Sequence, residues 1–415
     1  MKKPYEKDWK YSLPRIWVDD VVRGLFNVIS SEGKENIPSD GAVILAPNHC
    51  NTLMDALVLL QERREATLYG ARADIFRKPL NNKLLRYLRI LPIPRVRDGV
   101  KEVLQNRKTM DEVVECLEHR MKYCLFCEGT HRPKHSLLPL KKGIVRTALL
   151  ANERFEGRTP VYIVPVGLEY KDYYRLRTPL KIRYGDPINI TEFVASRPDT
   201  GEGRIYREIL EILKERISSL ITYLPDDDTY AGRWSITKIA GIDAAMSADE
   251  DTIKEAEFFD NKRKTAKLSS LSFGRKYPGL RILFKILVGL VFLPFILFSA
   301  IVSAPMWLTS AYIIKGLKDK AFTRTVHFGV KFAMMPLLII IWALLFFLCL
   351  PFKIALIAFL LTLGSHTIFY EALERGRILL SDIRLLFGFK DLKEAYARLV
   401  EKAHISRTNN QFEVI

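Results

Sequence analysis

The chain has 415 residues, 48% of them hydrophobic and 27% charged, with 64 Lys and Arg against 47 Asp and Glu. That length allows two or three domains with substantial cores, and a net charge of +17 favours anionic partners: nucleic acid, anionic lipid or phosphorylated small molecules. Five cysteines are too few for a disulfide framework and fit a reducing compartment.

The first residues, MKKPYEKDWKYSLPRIW, have neither an apolar core nor a small-residue cleavage site, so a secretory signal peptide is not expected. PRIWVDDVVRGLFNVISSE, residues 14–32, reads as an amphipathic helix, with Val18, Val21, Val22, Leu25 and Ile29 at helical spacing. Core packing and interfacial docking suit it equally. GAVILAPN reads as a short buried strand running into a turn, and MDALVLLQERR as a helix capped by Asn51 or Thr52.

Further strands are expected at ATLYGARADIF, at YCLFCEGT as far as Gly129, at PVYIVPVGLEY and at LKIRYGDPI. Helices are expected at NNKLLRYLRIL, TMDEVVECLEHRM, GIVRTALLANER and GRIYREILEILKERISSLITYL, with PIPRVRDG as a loop. Strands alternating with helices indicate an α/β domain with a mixed, partly parallel sheet flanked by helices.

A charged stretch reaches to about residue 278, and then the composition turns apolar. Residues 286–314 contain no charged residue, and residues 332–370 are long enough for two crossings with PFK as the turn. Basic residues flank both runs on every side. The positive-inside rule places all three flanks on one side, which predicts a hairpin for each run. Pro294 and Pro305 are the candidate bends of the first. The expected organisation is an N-terminal amphipathic segment (1–34), an α/β domain (35–224), a charged linker or helical insert (225–280), membrane-embedded helices (281–371) and a basic tail (372–415).

The motifs of common hydrolases, nucleotide-binding proteins and zinc proteases are missing: no G-x-S-x-G, G-x-x-x-x-G-K-[ST], H-E-x-x-H or G-x-G-x-x-G occurs. Cys124 and Cys127 form a C-x-x-C followed by His131 and His135. No second cysteine pair follows and the Cys-to-His gap is too short for a zinc finger, so buried strand cysteines are expected and no metal. In NHCNTLMD, His49 and Asp55 lie six residues apart. On one straight helix their side chains would diverge by about 120°. They meet only if the chain bends between them, at the carboxyl end of the preceding strand. A carboxylate on one ring nitrogen fixes the tautomer and leaves the other nitrogen as a base. The residues alone leave two readings, a base with its orienter or a polar helix start.

NHCNTLMD, IPRVRD, FCEGTHRP, LKKG and IVPVG follow in this order. Together they resemble the PlsC-type glycerolipid acyltransferases, which acylate glycerol 3-phosphate or lysophosphatidate. The spacing of five residues between His and Asp, where four are usual, is similar to the fungal branch of that family. The resemblance covers roughly residues 35–220 and implies direct acyl transfer, with His49 as base and Asp55 as its orienter. It implies acceptor binding by Arg97, Glu128, Gly129, Thr130 and Arg132, with Arg95 as competitor to Arg97. Glu128 would bind acceptor hydroxyls or anchor an arginine, and Lys141 and Lys142 would steer phosphate from the surface. His131 stands at the family's Arg position and Cys127 at its Pro position.

The resemblance further implies no metal or bound cofactor, an acyl-CoA or acyl carrier protein thioester as donor, and a glycerol phosphate or lysophospholipid acceptor. The expected setting is integral to a membrane, bacterial inner membrane or endoplasmic reticulum, with the catalytic domain cytoplasmic. The alternative is a catalytically inactive membrane lipid-binding or scaffold protein on the same fold, which would need a broken His–Asp pair. Nucleic acid is not an expected partner, because only charge speaks for it.

Overall fold

The computed structural model describes residues 3–6, 8–63, 65–93 and 100–402. The chain separates into two compact units, residues 1–221 with 313–332, and residues 222–312 with 333–415.

In the first unit, α1 (Trp9–Leu25) starts on Asp8, whose side chain accepts the Lys10 N–H. Its second half buries Val21, Val22 and Leu25, while Trp9, Leu13 and Ile16 stay exposed. The helix expected over 14–32 therefore stops early. β-branched Val28 and Ile29 suit an extended chain, and β1 (Ile29–Glu32) pairs in parallel with residues 180–183. Long-range pairing outweighs the local helical period.

The remaining elements are β2 (Ala42–Pro47), α2 (Leu53–Glu62), β3 (Thr67–Arg72), α3 (Pro79–Tyr87), β4 (Ile90–Ile93), α4 (Val100–Glu118), β5 (Lys122–Cys124), α5 (Gly143–Phe155), β6 (Val161–Tyr170), β7 (Leu180–Tyr184), β8 (Ile188–Asn189), α6 (Ile190–Ala195) and α7 (Glu202–Ser219). The strands form one mixed sheet in the order β1-β7-β6-β2-β5-β3-β4, with β8 on β6. From β6 to β4 all neighbours are parallel, while β7 runs antiparallel to β6. β2 lies centrally and every one of its residues is buried, as expected of a parallel strand covered on both faces. Three expectations change in detail. Residues 90–93 leave the helix expected over 81–91 and form β4, the strand expected to reach Gly129 stops at Cys124, and the last helix ends at Ser219 rather than Leu224.

The second unit contains α8 (Tyr230–Ala240), α9 (Ile242–Ser247) and α10 (Glu250–Thr265), then α11 (Pro278–Val302), the start of α12 (Ala304–Lys315), most of α13 (Thr323–Cys349), α14 (Phe352–Phe387) and α15 (Lys390–Lys402). Leu224, Ile236, Ile253, Phe259, Leu392 and Leu399 share one core. Among the described residues, three helices are long and apolar enough to cross a membrane, at Pro278–Val302, Lys320–Cys349 and Phe352–Phe387.

α11 continues through Pro294 as one helix and breaks at Ser303, with Pro305 in the first turn of α12. Neighbouring helices and side chains tolerate a proline within an apolar helix. The second run turns between α13 and α14 at Leu350 and Pro351. Val302, at the end of α11, meets Ala355 near the start of α14, and Lys285 near the start of α11 pairs with Asp382 near the end of α14. The two helices are therefore antiparallel.

Candidate active site

The chain leaves β2 at Pro47 and reaches His49 two residues later, at the carboxyl end of a central parallel strand, where α/β sheets place their sites. Asn48 prolongs the β2–β6 pairing with its side chain. Its amide Nδ2 donates to the Leu168 carbonyl at 3.1 Å and its Oδ1 accepts the Leu168 N–H at 2.6 Å. Beyond it the backbone folds back on itself. Thr52 is forced to φ 50°, ψ −132°, a costly conformation for a β-branched residue, and α2 begins at Leu53.

That bend brings His49 and Asp55 together. His49 Nδ1 lies 2.8 Å from Asp55 Oδ2, and the same oxygen accepts the N–H groups of Cys50 at 2.8 Å and Asn51 at 2.7 Å. The other oxygen, Oδ1, accepts the Tyr170 hydroxyl at 2.8 Å. Asp55 is fully buried, while the His49 side chain keeps 17% of its surface open. Four N–H and O–H donors converge on this one carboxyl group, and the Cys50 thiol points at Oδ1 from 3.8 Å. A carboxylate at Nδ1 assigns the ring proton there and leaves Nε2 as an available base. Asp55 thus takes up the N–H groups of Cys50 and Asn51 just ahead of α2, whereas the cap expected from Asn51 or Thr52 is not formed: Thr52, at the N-cap, makes no side-chain capping hydrogen bond. The helix start and the oriented base are one arrangement.

The neighbouring strand β5 delivers the second half of the site. The Leu125 N–H continues the pairing with β2 by donating to the Leu45 carbonyl at 3.0 Å, and the chain then loops past His49. Phe126 stacks on the His49 ring with centroids 4.4 Å apart. Glu128 is buried. Its Oε1 accepts the His49 N–H at 2.6 Å and its Oε2 accepts the Leu138 N–H at 2.7 Å. Burial pushes the Glu128 carboxyl above the usual range, and these two N–H donors offset part of that rise. Both oxygens are thus engaged with backbone, and Glu128 braces the base from below.

Gly129 turns the chain at φ +70°, where a Cβ would lie 3.2 Å from Lys141 Cγ. Thr130 is exposed. The Arg132 N–H donates to the His49 carbonyl at 3.0 Å, and its guanidinium donates to Ser136 Oγ at 2.8 Å. The His131 ring stands 5.7 Å from that of His49 and pairs with Asp319 at 2.8 Å. Lys141 and Lys142 are exposed beside α5. Arg95 and Arg97 lie outside the described residues.

Cys50, Cys124 and Cys127 are all buried, and burial pushes each thiol upward. They are neutral thiols rather than nucleophiles. Cys127 lies beyond the end of β5, with its S–H directed at the Pro47 carbonyl at 3.7 Å.

Three contributors carry no local signal in the sequence. Tyr170 ends β6 and looks like any buried strand aromatic. Asp319 and Arg324 stand between the two apolar runs, where they read only as charge markers. Arg324 is fully buried. It donates to the carbonyls of Tyr173 at 3.2 Å and Asp172 at 2.6 Å and to Thr178 Oγ1 at 2.5 Å. Its guanidinium lies 4.6 Å from the Phe26 ring and 5.7 Å from that of Tyr170. Thr325 meets the strained Thr52, hydroxyl to hydroxyl, at 2.8 Å.

Residues 28–169 match the Acyltransferase family model. Glycerol-3-phosphate O-acyltransferase 1 of Saccharomyces cerevisiae is 26% identical over 170 residues, 38% of this chain and 22% of that protein. Glycerol-3-phosphate O-acyltransferase 2 of the same yeast is 29% identical over 136 residues, 31% of this chain and 17% of that protein. The matched stretch therefore spans less than a quarter of either relative. The crystal structure of the 1-acyl-sn-glycerophosphate acyltransferase PlsC from Thermotoga maritima aligns over 51% of this chain and 79% of that one, at 22% identity and a TM-score of 0.36.

Proposed function

From an acyltransferase domain at residues 28–169, we propose that the protein is a membrane-bound O-acyltransferase of glycerolipid synthesis. It moves a fatty acyl group from a thioester, acyl-CoA or acyl carrier protein, to a hydroxyl of glycerol 3-phosphate or lysophosphatidate. The carrying observation is the buried Asp55 carboxylate, which holds His49 Nδ1 and leaves Nε2 without a hydrogen-bond partner among the described residues. The named activities of the two yeast relatives support the acceptor class.

His49 Nε2 takes the proton of the acceptor hydroxyl as its oxygen attacks the thioester carbonyl. The tetrahedral intermediate collapses by breaking the C–S bond, and the imidazolium returns its proton to the leaving thiolate. Ester and thiol are the products. Asp55 orients the ring and stabilises the imidazolium, and base assistance of this kind contributes about 10²–10⁴ in rate. Glu128 and the Arg132 N–H hold the His49 backbone from two directions, and Phe126 supports the ring. Arg97, Thr130, His131 and Arg132 are the proposed phosphate-facing residues, through paired or single N–H and O–H donors. The reaction needs no metal or bound cofactor. Membrane helices suit an acyl chain that partitions into the bilayer, with the catalytic unit on the cytoplasmic side.

The test is acyl transfer in membranes containing the protein, with glycerol 3-phosphate and lysophosphatidate offered separately to each donor. One acceptor is acylated, and His49→Ala abolishes the reaction. Failure with every pair sinks the substrate proposal, and full activity in His49→Ala sinks the mechanism.

A further inference from the structure

The second unit contains a pocket of ≈ 1430 Å³ bounded by the first turns of α11, the end of α14 and α15. Five cations and two carboxylates line it. Two of the cations are already neutralised, Lys285 by Asp382 and Arg375 by Glu371. Arg275, Arg281 and Lys393 have no carboxylate at ion-pair distance among the described residues. The Arg275 Nε donates to the Leu271 carbonyl at 2.6 Å, and Lys393 makes only a long 3.4 Å contact to the Leu386 carbonyl. Only Glu401 opposes these three charges within the lining.

The other half of the lining is apolar. Leu280 is 69% exposed and Phe284 67% exposed, at helical spacing on α11. α11 and α14 are both long and apolar enough to cross a membrane, and the pocket sits where they begin and end. A cationic hollow at the polar end of bilayer helices, continuous with an exposed apolar face, matches a ligand with an anionic head and hydrocarbon tails.

We propose that this pocket is a resident site for one anionic glycerophospholipid drawn from the bilayer. Its phosphate lies among Arg275, Arg281 and Lys393, and its acyl chains run along Leu280 and Phe284. The proposal is independent of the acyl-transfer reading and rests only on α11 and α14 lying in a bilayer. The choice of a lipid over a soluble phosphate follows from the apolar half of the site, which a free anion would leave unused.

The test is lipid retention. Full-length protein is reconstituted in mixed phosphatidylcholine and phosphatidylglycerol, extracted in mild detergent, and its bound lipid identified by native mass spectrometry. Wild type retains phosphatidylglycerol in preference to phosphatidylcholine. The Arg281→Gln/Lys393→Gln double variant, which changes two exposed residues, retains about tenfold less or lower still. Ala397→Trp leaves every cation in place and pushes an indole into the pocket, and retains less lipid too. A melting temperature near that of wild type shows that the variants fold. The proposal is overturned if wild type shows no anionic preference, if both variants retain lipid as wild type does, or if millimolar inorganic phosphate displaces the bound lipid.

Discussion

Tyr170 donates its hydroxyl to Asp55 Oδ1 at 2.8 Å, on the carboxylate oxygen opposite the one that holds His49. The phenol therefore fixes the rotation of the carboxyl group that holds His49 Nδ1. Burial pushes the Tyr170 hydroxyl well above its ordinary range, so it remains a donor. Tyr170→Phe deletes that single contact and keeps the ring. A hydrogen bond to a charged group contributes about 1.5–3 kcal/mol, and its loss here loosens the His49 alignment. The expected outcome is a kcat about tenfold lower with KM near wild type, read by steady-state acyl transfer. A variant that only melts earlier and turns over normally would confine Tyr170 to packing.

Glu128 makes a pH-dependent contribution whose sign follows from its burial. Its folded pKa is raised above the unfolded value. Between the two values the native state binds more protons, so this group's contribution to stability falls as pH rises through that window. Glu128→Gln removes the titration but offers one acceptor oxygen to two backbone donors, the N–H groups of His49 and Leu138. At neutral pH the variant is expected to be less stable by about 1–3 kcal/mol and to have a lower kcat. Chemical unfolding at several pH values checks it. The stability gap to wild type widens as the pH is lowered toward about 4.5 through the window that lies above that value, and a gap that narrows instead would contradict the assigned direction.

How much of this was legible in the sequence differs by distance along the chain. Apart from β4, the alternation of strands and helices over residues 42–219 was readable because most elements have their own period. The His49–Asp55 pair was legible only as a condition: the helical angle shows that the two meet only if the chain bends, the order of the motifs favours that reading, and the bend falls at Thr52. β1 and β4 were not legible, because each has four residues and lies inside a stretch that also fits a helix. The role of Glu128 as a backbone brace depends on β2 and β5 being neighbours in the sheet, which no local pattern encodes. Arg324 is the extreme case. A cation between two apolar runs normally marks a solvated loop, yet here it is fully buried.

Arg324 and Asn51 share an acceptor. The Arg324 guanidinium donates to the Tyr173 carbonyl at 3.2 Å and Asn51 Nδ2 donates to the same oxygen at 3.1 Å. The loop after β6 and the turn around Asp55 are therefore pinned together by a residue 151 positions away from Tyr173. Arg324→Ala leaves the Asp172 carbonyl without its guanidinium donor and opens a cavity beside Phe26, with an expected loss of about 3 kcal/mol. Arg324→Lys keeps the charge but lacks the planar fork for three acceptors, so it should melt between alanine and wild type. Thermal unfolding in detergent ranks the three proteins, and kcat follows the same order. Equal melting temperatures would show that the contacts are incidental.

Residues 313–332 belong to the same compact unit as His49 and Asp55, with Asp319, Arg324 and Thr325 bonded to residues of that unit. The segment joins α12 to α13, so under the proposed membrane topology the chain between the two apolar runs lies on the same side as His49 and Asp55. From there α13 runs 27 residues to Cys349 and α14 returns from Phe352. At about 1.5 Å per residue the stretch of α13 after residue 332 covers most of a hydrocarbon core about 30 Å thick. A membrane-impermeant maleimide tests this on single-cysteine variants in a Cys349→Ser background, where the remaining cysteines are buried. Cysteines placed at Lys318 and at Arg154, both exposed, should label from the same side of sealed vesicles. A cysteine at Lys353, beside the α13–α14 turn, should not label from that side. Labelling of Lys318 and Arg154 from opposite sides would break the link between the segment and the catalytic unit on which the roles of Asp319 and Arg324 depend.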